Sequence, residues 1–379
     1  MDQIVLARCN DYDLPRVRTA IVELLEPLGG MRSFVRAGER ILLKPNMLSV
    51  KSPEQAVTTH PAVVRAVAEL VREAGGRAVI GDSPGMGGFQ RVADRSGIAR
   101  AAAESGAELV EFNDTVELPG SGTFRRFTLA KAYWEADKII NLPKLKTHEM
   151  MTMTCAVKNL FGAVVGAEKA GWHLKAGASR EQFARLLLEI YLLKKPVLNL
   201  VDAIIAMEGN GPGSGDPLQV GALIAGVNSV AVDLVAGKLA GIPKELLYVE
   251  IEAQRMGLAG TDWEEITLSG TPLDSFPLNP FRLPSGLDTQ FGLPKFLSTL
   301  LKHQLTSFPA ADRQHCVLCG ICRDACPPLA IEIKNSALTV DQGRCIRCWC
   351  CRELCPHDAM LVKRSLVLKI VSALTGRRR

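Results

Sequence analysis

The sequence predicts an α/β fold, with a mostly parallel or mixed sheet flanked by helices, followed by a small C-terminal α+β unit. Three observations carry this reading. Apolar, β-branched runs alternate with stretches of helical periodicity through residues 1–270. These runs are apolar throughout rather than at every second position, as strands covered on both faces are. Nine of the eleven cysteines fall between residues 316 and 355, which sets the C-terminal segment apart.

In chain order, IVLARC (4–9) and RILLKPN (40–46) read as strands. HPAVVRAVAELVREAGG (60–76) is a helix opened by Pro61 and stopped by glycines. RAVIGD (77–82) is a strand, a helix runs from about Phe89 to Ser105, and AELVEF (107–112) returns to strand. DKIINLP (137–143) is another strand, and the amphipathic helix REQFARLLLEIYLLKK (180–195) leads into the strand PVLNLVDAI. Residues 1–270 therefore form the α/β domain, and 271–311 a proline-rich connecting arm with a helix near 294–305. Residues 312–363 are the cysteine-rich unit and 364–379 a basic tail.

Composition narrows the function. The net charge is +5 and lysines and arginines are dispersed, which argues against nucleic acid. The start, MDQIVLARCNDYDLP, has no signal-type apolar region, and no stretch approaches the roughly 18 apolar residues of a membrane span. Clustered cysteines fit a reducing, cytoplasmic compartment. The tail SLVLKIVSALTGRRR (365–379) is too short to span a bilayer; its apolar face and basic end suit an anionic membrane surface or docking on the protein.

CVLCGICRDACPPLAIEI from Cys316 and CIRCWCCRELCPHDAMLV from Cys345 share the pattern C-x2-C-x2-C-x3-C-P, 29 residues apart. Cysteines at every third position wrap three thiolates around one face of a cuboidal cluster, and the fourth, turned away by proline, reaches the other cluster. One [4Fe–4S] cluster is thus assigned to Cys316, Cys319, Cys322 and Cys355, the second to Cys345, Cys348, Cys351 and Cys326. Cys350 breaks the spacing and is read as a spectator beside Trp349. Zinc sites place their ligands in two separated pairs, which this pattern does not. The region 312–363 resembles the bacterial two-cluster ferredoxin module, which passes single electrons; IEI and LTV around Asn335-Ser336 read as its hairpin. Cys9 and Cys155 read as buried thiols.

In open α/β sheets ligands sit at the carboxyl ends of strands, and polar residues gather there. Lys44 and Asn46 follow one strand, and Asp82 and Ser83 open the loop GDSPGMGG (81–88). Lys144, Lys146, Thr147 and His148 follow another strand, with Lys158 and Asn159 soon after. The loop EGNGPGSGDP (208–217) follows the strand carrying Asp202 and contains Glu208 and Asn210. Glycine-rich turns can offer backbone N–H groups to an anion, and lysines add charge. The set predicts a pocket for a carboxylate- or phosphate-bearing small molecule, with His148, Lys144 and Lys146 as candidate catalytic groups. His60 stands where helix-capping residues stand, and Asp202 with Glu208 is a further candidate metal pair.

The motifs LLKPN, TTHP, VIGDSPG, INLPKLKTH, AVKNLFGAVVG and VDAIIAMEGNGPGSG resemble the family catalogued as domain of unknown function 362, over roughly residues 40–240. That family is often fused to a ferredoxin module. Position by position, the resemblance implies functional roles for Lys44, Asn46, His60, Asp82, Lys144, Lys146, His148, Lys158, Asn159, Asp202, Glu208 and Asn210. Two functions are expected from the whole. One is a ferredoxin-type reductase of an anionic small molecule, fed by an electron donor or acceptor protein. The other is a non-enzymatic electron-transfer subunit or maturation factor that binds a partner protein.

Overall fold

The computed structural model describes residues 1–363 except 86, 167, 177–178, 278–279 and 285–306. The predicted helix near 294–305 and the tail lie outside the described residues.

The strands of the α/β domain are β1 (Asp2–Arg8), β2 (Arg40–Pro45), β3 (Arg77–Asp82), β4 (Glu108–Glu111), the hairpin β5 (Thr115–Pro119) and β6 (Arg126–Ala130), β7 (Lys138–Leu142), β8 (Lys144–His148), β9 (Thr152–Thr154), β10 (Leu198–Glu208), β11 (Asp216–Gly226) and β12 (Ile266–Gly270). The main sheet runs β12-β1-β11-β10-β7-β2-β3-β4. Its pairs are parallel except that β11 runs antiparallel to both β1 and β10. The expected mostly parallel, mixed sheet is what forms.

Alternation across each strand builds two apolar layers. Ile41 and Leu43 join a core with Val17, Ile21, Val64 and Val67, while Leu42 faces Phe183, Leu187 and Tyr133 on the opposite side. Helices on both faces are why the strands are apolar throughout.

The chain departs from prediction where backbone geometry outweighs side-chain pattern. The helix expected over 89–105 is two, Phe89–Arg95 and Ile98–Ser105, separated by Gly97 at φ 75°. A left-handed residue cannot continue a right-handed helix.

Pro143 makes the break that matters for the site. Before it, β7 pairs with β2 along Ile41–Pro45 and with β10 at Leu198 and Asn199. Beyond it the chain continues as β8, paired with β10 at Asp202 and Met207 and no longer with β2. The sheet therefore splits at its carboxyl edge, where side-chain bonds from Lys44 to Asp82 and from Lys146 to Asn46 draw the ends of β2, β3 and β8 together.

The C-terminal unit starts earlier than expected. Strand β13 (Phe308–Ala311), within the stretch read as an arm, pairs antiparallel with the terminal strand of the unit. After it come β14 (Ile331–Lys334) and β15 (Ala337–Val340), then the partner strand β16 (Met360–Lys363). Asn335 and Ser336 turn the β14–β15 hairpin at φ 49° and 56°, the positive angles of a tight two-residue turn. Among the described residues no helix is long and apolar enough to cross a membrane.

Candidate functional site

Two buried ion pairs anchor the split edge. Lys44, at the end of β2, places Nζ 2.8 Å from Asp82 Oδ1 at the end of β3, and both side chains are almost fully buried. Asp82 also accepts from the backbone N–H of Met47 (2.8 Å) and Ser83 (2.9 Å). Gly162 makes room for this pair: a Cβ there would lie 2.0 Å from Asp82 Oδ1. One strand over, Lys144 Nζ is 2.8 Å from Asp202 Oδ2. Tyr12 donates its hydroxyl to Asp202 Oδ1 at 2.7 Å, and its ring stacks on His60 with centroids 3.5 Å apart. Burial pulls both lysines below their usual range, and the facing carboxylates oppose it.

The other lysines lack carboxylate partners of this kind. Lys146 Nζ donates to Asn46 Oδ1 (2.8 Å) and to the carbonyl of Val57 (2.6 Å), both neutral. Burial lowers it well below the usual lysine range, and Lys158 and Lys144 add to the effect. Asn46 continues to Asn159, which donates onward to Asn141 Oδ1 at 2.8 Å. Lys158 is half-buried, and among the described residues nothing accepts a hydrogen bond from its ammonium. Lys169 bonds the carbonyl (2.6 Å) and hydroxyl (2.8 Å) of Ser83, and burial lowers it to about 8.

The C-terminal unit packs against this edge. Its short helix Cys350–Glu353 follows Trp349, which is 4% exposed and packs into the α/β core. Arg352 pairs with the buried Glu149, Ser214 bonds Asp358, and Lys51 lies 4.0 Å from the same aspartate. Glu353 reaches deepest. Its Oε1 lies 3.1 Å from His148 Nε2, and each of these buried atoms faces the other rather than a further hydrogen-bond partner. His148 Nδ1 accepts from Met150 N (3.0 Å) and Met151 N (3.2 Å), which puts the ring proton on Nε2. Burial lowers His148 to about 4, so the ring is neutral near pH 7. His173, stacked on Phe183 at 4.3 Å, is likewise lowered to about 4 and leaves Nδ1 unpartnered. Burial alone would raise Glu353, but His148, Lys158 and His173 outweigh it and hold the carboxyl at about 2.

The eight motif cysteines line two hollows. Cys316, Cys319, Cys322 and Cys355 line one; Cys326, Cys345, Cys348 and Cys351 line the other, with Cys350 and Trp349 beside them. The fourth cysteine of each motif thus sits with the first three of the other. Burial and the neighbouring Cys355, Cys316 and Cys319 push Cys322 up to about 11. Matching backbone N–H groups, of Ala330 and Ala359, lie 3.2 Å from the sulfurs of Cys326 and Cys355. Among the described residues no group of three or more His, Cys, Asp or Glu is arranged around a single metal ion. Two four-thiol hollows with N–H···S contacts suit a cluster, whose thiolates stand apart on a cuboidal body.

Not every predicted residue converges. Glu208 is drawn to Arg282, whose Nε lies 2.6 Å from Oε1, and it ties the post-β12 segment to the sheet. It does not meet Asp202, so the two form no metal pair. His60 caps the helix Pro61–Glu73 through Nδ1, 3.2 Å from Ala62 N. Asn210 is half-buried in the glycine-rich loop, which Thr147 ties to β8 through a 2.9 Å bond to Gly209 O. Sequence reasoning missed Tyr12, Lys169, His173 and Glu353. Glu353 sits inside the second motif, where only the cysteines drew attention. Lys169 and His173 lie in a helix whose polarity looks like an ordinary surface pattern.

The model of the family described as "Domain of unknown function (DUF362)" matches residues 41–238, and that of the "4Fe-4S binding domain" matches 338–361. The chain is 38% identical over 301 residues to the thylakoid-associated protein sll1697 of Synechocystis sp., covering 79% of this chain and 94% of that one. A solved structure, the lactate racemase apoprotein from Thermoanaerobacterium thermosaccharolyticum, aligns with TM-score 0.39 at 11% identity. That alignment covers 63% of this chain and 57% of the racemase.

Proposed function

The chain belongs to the DUF362 family and carries a 4Fe-4S electron-transfer domain, and from that premise we propose that it is a ferredoxin-type reductase of an anionic small molecule. The observation that carries the reading is the insertion of Glu353, between the second-motif ligand Cys351 and the crossing cysteine Cys355, among His148, Lys158 and His173. The electron-carrying unit thereby faces the half-buried Lys158 and the buried His148 at the sheet's carboxyl edge. Two [4Fe–4S] clusters are proposed, on Cys316, Cys319, Cys322 and Cys355 and on Cys345, Cys348, Cys351 and Cys326. The four-and-four partition of the hollows supports this set.

When bound, the clusters supply single electrons. The chain's own groups do the rest. Lys158 and Lys146 hold the anion by charge. Asn46 and Asn159 orient Lys146, and the Arg352–Glu149 pair and Trp349 keep water from that edge. His148 donates a hydrogen bond through Nε2 as a neutral ring, and the lysines lowered by burial are the better proton donors near neutral pH. Lys144, held by both Asp202 and Tyr12, positions β8 against β10.

The second reading is an electron carrier that binds a partner protein, and the satisfied pairs Lys44–Asp82 and Lys144–Asp202 favour it. One experiment separates them. The anaerobic protein is reduced with dithionite, and bleaching of its visible absorption is followed on adding fractions of a small-molecule extract. Reoxidation by an anionic fraction, abolished in Lys158→Met, supports the reductase. Reoxidation by proteins alone, equal in wild type and variant, supports the carrier.

A further inference from the structure

The cysteine-rich unit contains one shape twice. Its two copies, 29 residues apart, repeat the same backbone turns: φ is 56° at Leu318 and 55° at Arg347, 82° at Gly320 and 64° at Trp349, 51° at Leu329 and 50° at Asp358. Each copy also repeats the 3.2 Å contact from a backbone N–H to its crossing cysteine. Corresponding positions line the two hollows, with Val317, Gly320 and Ile321 in the first where Ile346, Trp349 and Cys350 stand in the second.

The outer faces of the copies differ. In the second, Trp349 is buried in the α/β core, Arg352 pairs with Glu149, and Cys348 is 8% exposed. The first carries the same charge order on its helix Ile321–Asp324, yet Arg323 and Asp324 pair with each other in solvent at 2.8 Å. Among the described residues neither reaches the α/β domain by a hydrogen bond or an ion pair. A bulky residue at positive φ is strained. Trp349 adopts that turn where the unit docks, whereas a side chain at the matching Gly320 would first meet Arg323 and Asp324 of its own copy. Val317 is 60% exposed where Ile346 is half-buried, and Cys319 is the one exposed cysteine of the eleven.

We infer that the exposed face of the first copy, built by Val317, Cys319 and Arg323, is where a one-electron carrier protein docks, and that the second copy serves the chain's own α/β domain. One fold repeated twice presents two equivalent faces, and only the second meets the α/β domain through a buried tryptophan and an ion pair. The carrier fits the first face as the α/β domain fits the second: an apolar contact for Val317 and a carboxylate for Arg323, the part that Glu149 plays for Arg352. Electron transfer weakens steeply with distance, so an outside protein exchanges electrons where a cluster ligand reaches the surface, as Cys319 does. One electron leaves the carrier, enters at the first hollow and passes to the second; no bond forms or breaks and no proton moves. The inference rests on the two-cluster assignment, and on the reductase reading only for the direction of flow.

Oxidised anaerobic holoprotein is mixed in a stopped-flow instrument with a reduced acidic ferredoxin and, separately, with dithionite. Val317→Glu and Arg323→Glu should each slow reduction by the ferredoxin by about tenfold, through repulsion and lost complementarity, while iron stays at the wild-type level. Val22→Glu, at an exposed apolar position on the helix Leu14–Leu25, should react with the ferredoxin as wild type does. Dithionite is too small to need the face and should reduce all of them at one rate. Arg323 is solvent-exposed, so its variant reports even where Val317→Glu loses iron. Wild-type ferredoxin rates in both variants, equal slowing in Val22→Glu, or no reaction of wild type with the ferredoxin overturns the docking face. Slowing of dithionite to the same extent does so too, because it marks damage to the hollow rather than lost docking. Iron for a single cluster that persists in Cys316→Ala removes the two-cluster assignment and this inference with it. A protein reduced through this face but reoxidised by no anionic fraction loses the reductase reading and keeps the docking face.

Discussion

Lys44 and Asp82 meet where neither reaches water, and this makes the pair costly to half-remove. Its aspartate also collects the N–H groups of Met47 and Ser83, so it shapes the loop as well as neutralising the lysine. Asp82→Ala should destabilise the α/β domain by about 3–5 kcal/mol, because it leaves a buried cation alone. Replacing both partners, Lys44→Met with Asp82→Leu, should recover part of that loss. Urea unfolding followed by circular dichroism measures both, and an unchanged midpoint in Asp82→Ala would show that the pair is not buried as described. The histidines act in the opposite sense to most paired groups. His60, His148 and His173 are all lowered from 6.5 to about 4, in each case chiefly by burial. Between those values the unfolded chain binds protons that the folded chain refuses. Stability is therefore fully present above about pH 6.5 and is lost as pH falls towards 4. His173→Phe keeps the stack on Phe183 and should remove on the order of 1–3 kcal/mol of that acid loss. A melting temperature that falls with acid as steeply in the variant as in wild type would refute it.

At the scale of elements, four residues of helix at Cys350–Glu353 decide how the C-terminal unit sits. Helix propensity does not hold so short a segment; Trp349, Arg352 and Glu353 hold it by burial and charge on the α/β domain. Trp349→Ala should cost about 3–5 kcal/mol of docking. Amide exchange over residues 345–355 should then speed up by roughly a hundredfold or more, while β2 and β7 keep their protection. Wild-type exchange in that segment would mean that the tryptophan does not fasten the unit. The same elements separate what the sequence discloses from what it hides. Strands β2, β3 and β7 are readable within a residue or two, because layers on both faces demand unbroken apolar runs. The Asn335-Ser336 turn is readable because two short strands flank it. KLKTH reads as a loop after a strand, yet it is strand β8. Its lysines are polar but satisfied by Asp202, Tyr12, Asn46 and Val57, and no local pattern encodes those distant partners. Lys44, Asn46, Asp82, Lys146 and His148 could be chosen from strand-end position alone. Glu353 could not, because its place depends on where a separate unit docks.

For the whole molecule, the question is what each unit needs in order to fold. The α/β domain has three extensive apolar cores, whereas the C-terminal unit has its own small cluster around Cys322, Ile331, Cys351 and Met360. A core of that size is too small to stabilise the unit without a staple, and bound metal supplies folding free energy where thiolates hold it. With the two proposed clusters bound, the crossing of Cys355 and Cys326 between hollows would make the staple shared, since each motif contributes to both hollows. Cys316→Ala should therefore lower bound iron, by one atom if a three-ligand cluster persists or by one whole cluster if it does not. It should loosen residues 307–363 and leave the melting of the α/β sheet in place. Cys350→Ala, beside the second hollow but outside the motif spacing, should retain wild-type iron. Iron analysis and visible absorption on anaerobic protein, with thermal unfolding in the far ultraviolet, test all of this together. Wild-type iron in Cys316→Ala would break the assignment of the first hollow. Loss of iron in Cys350→Ala would move the third ligand of the second motif by one position, and with it the placement of Trp349 and Glu353 against the cluster.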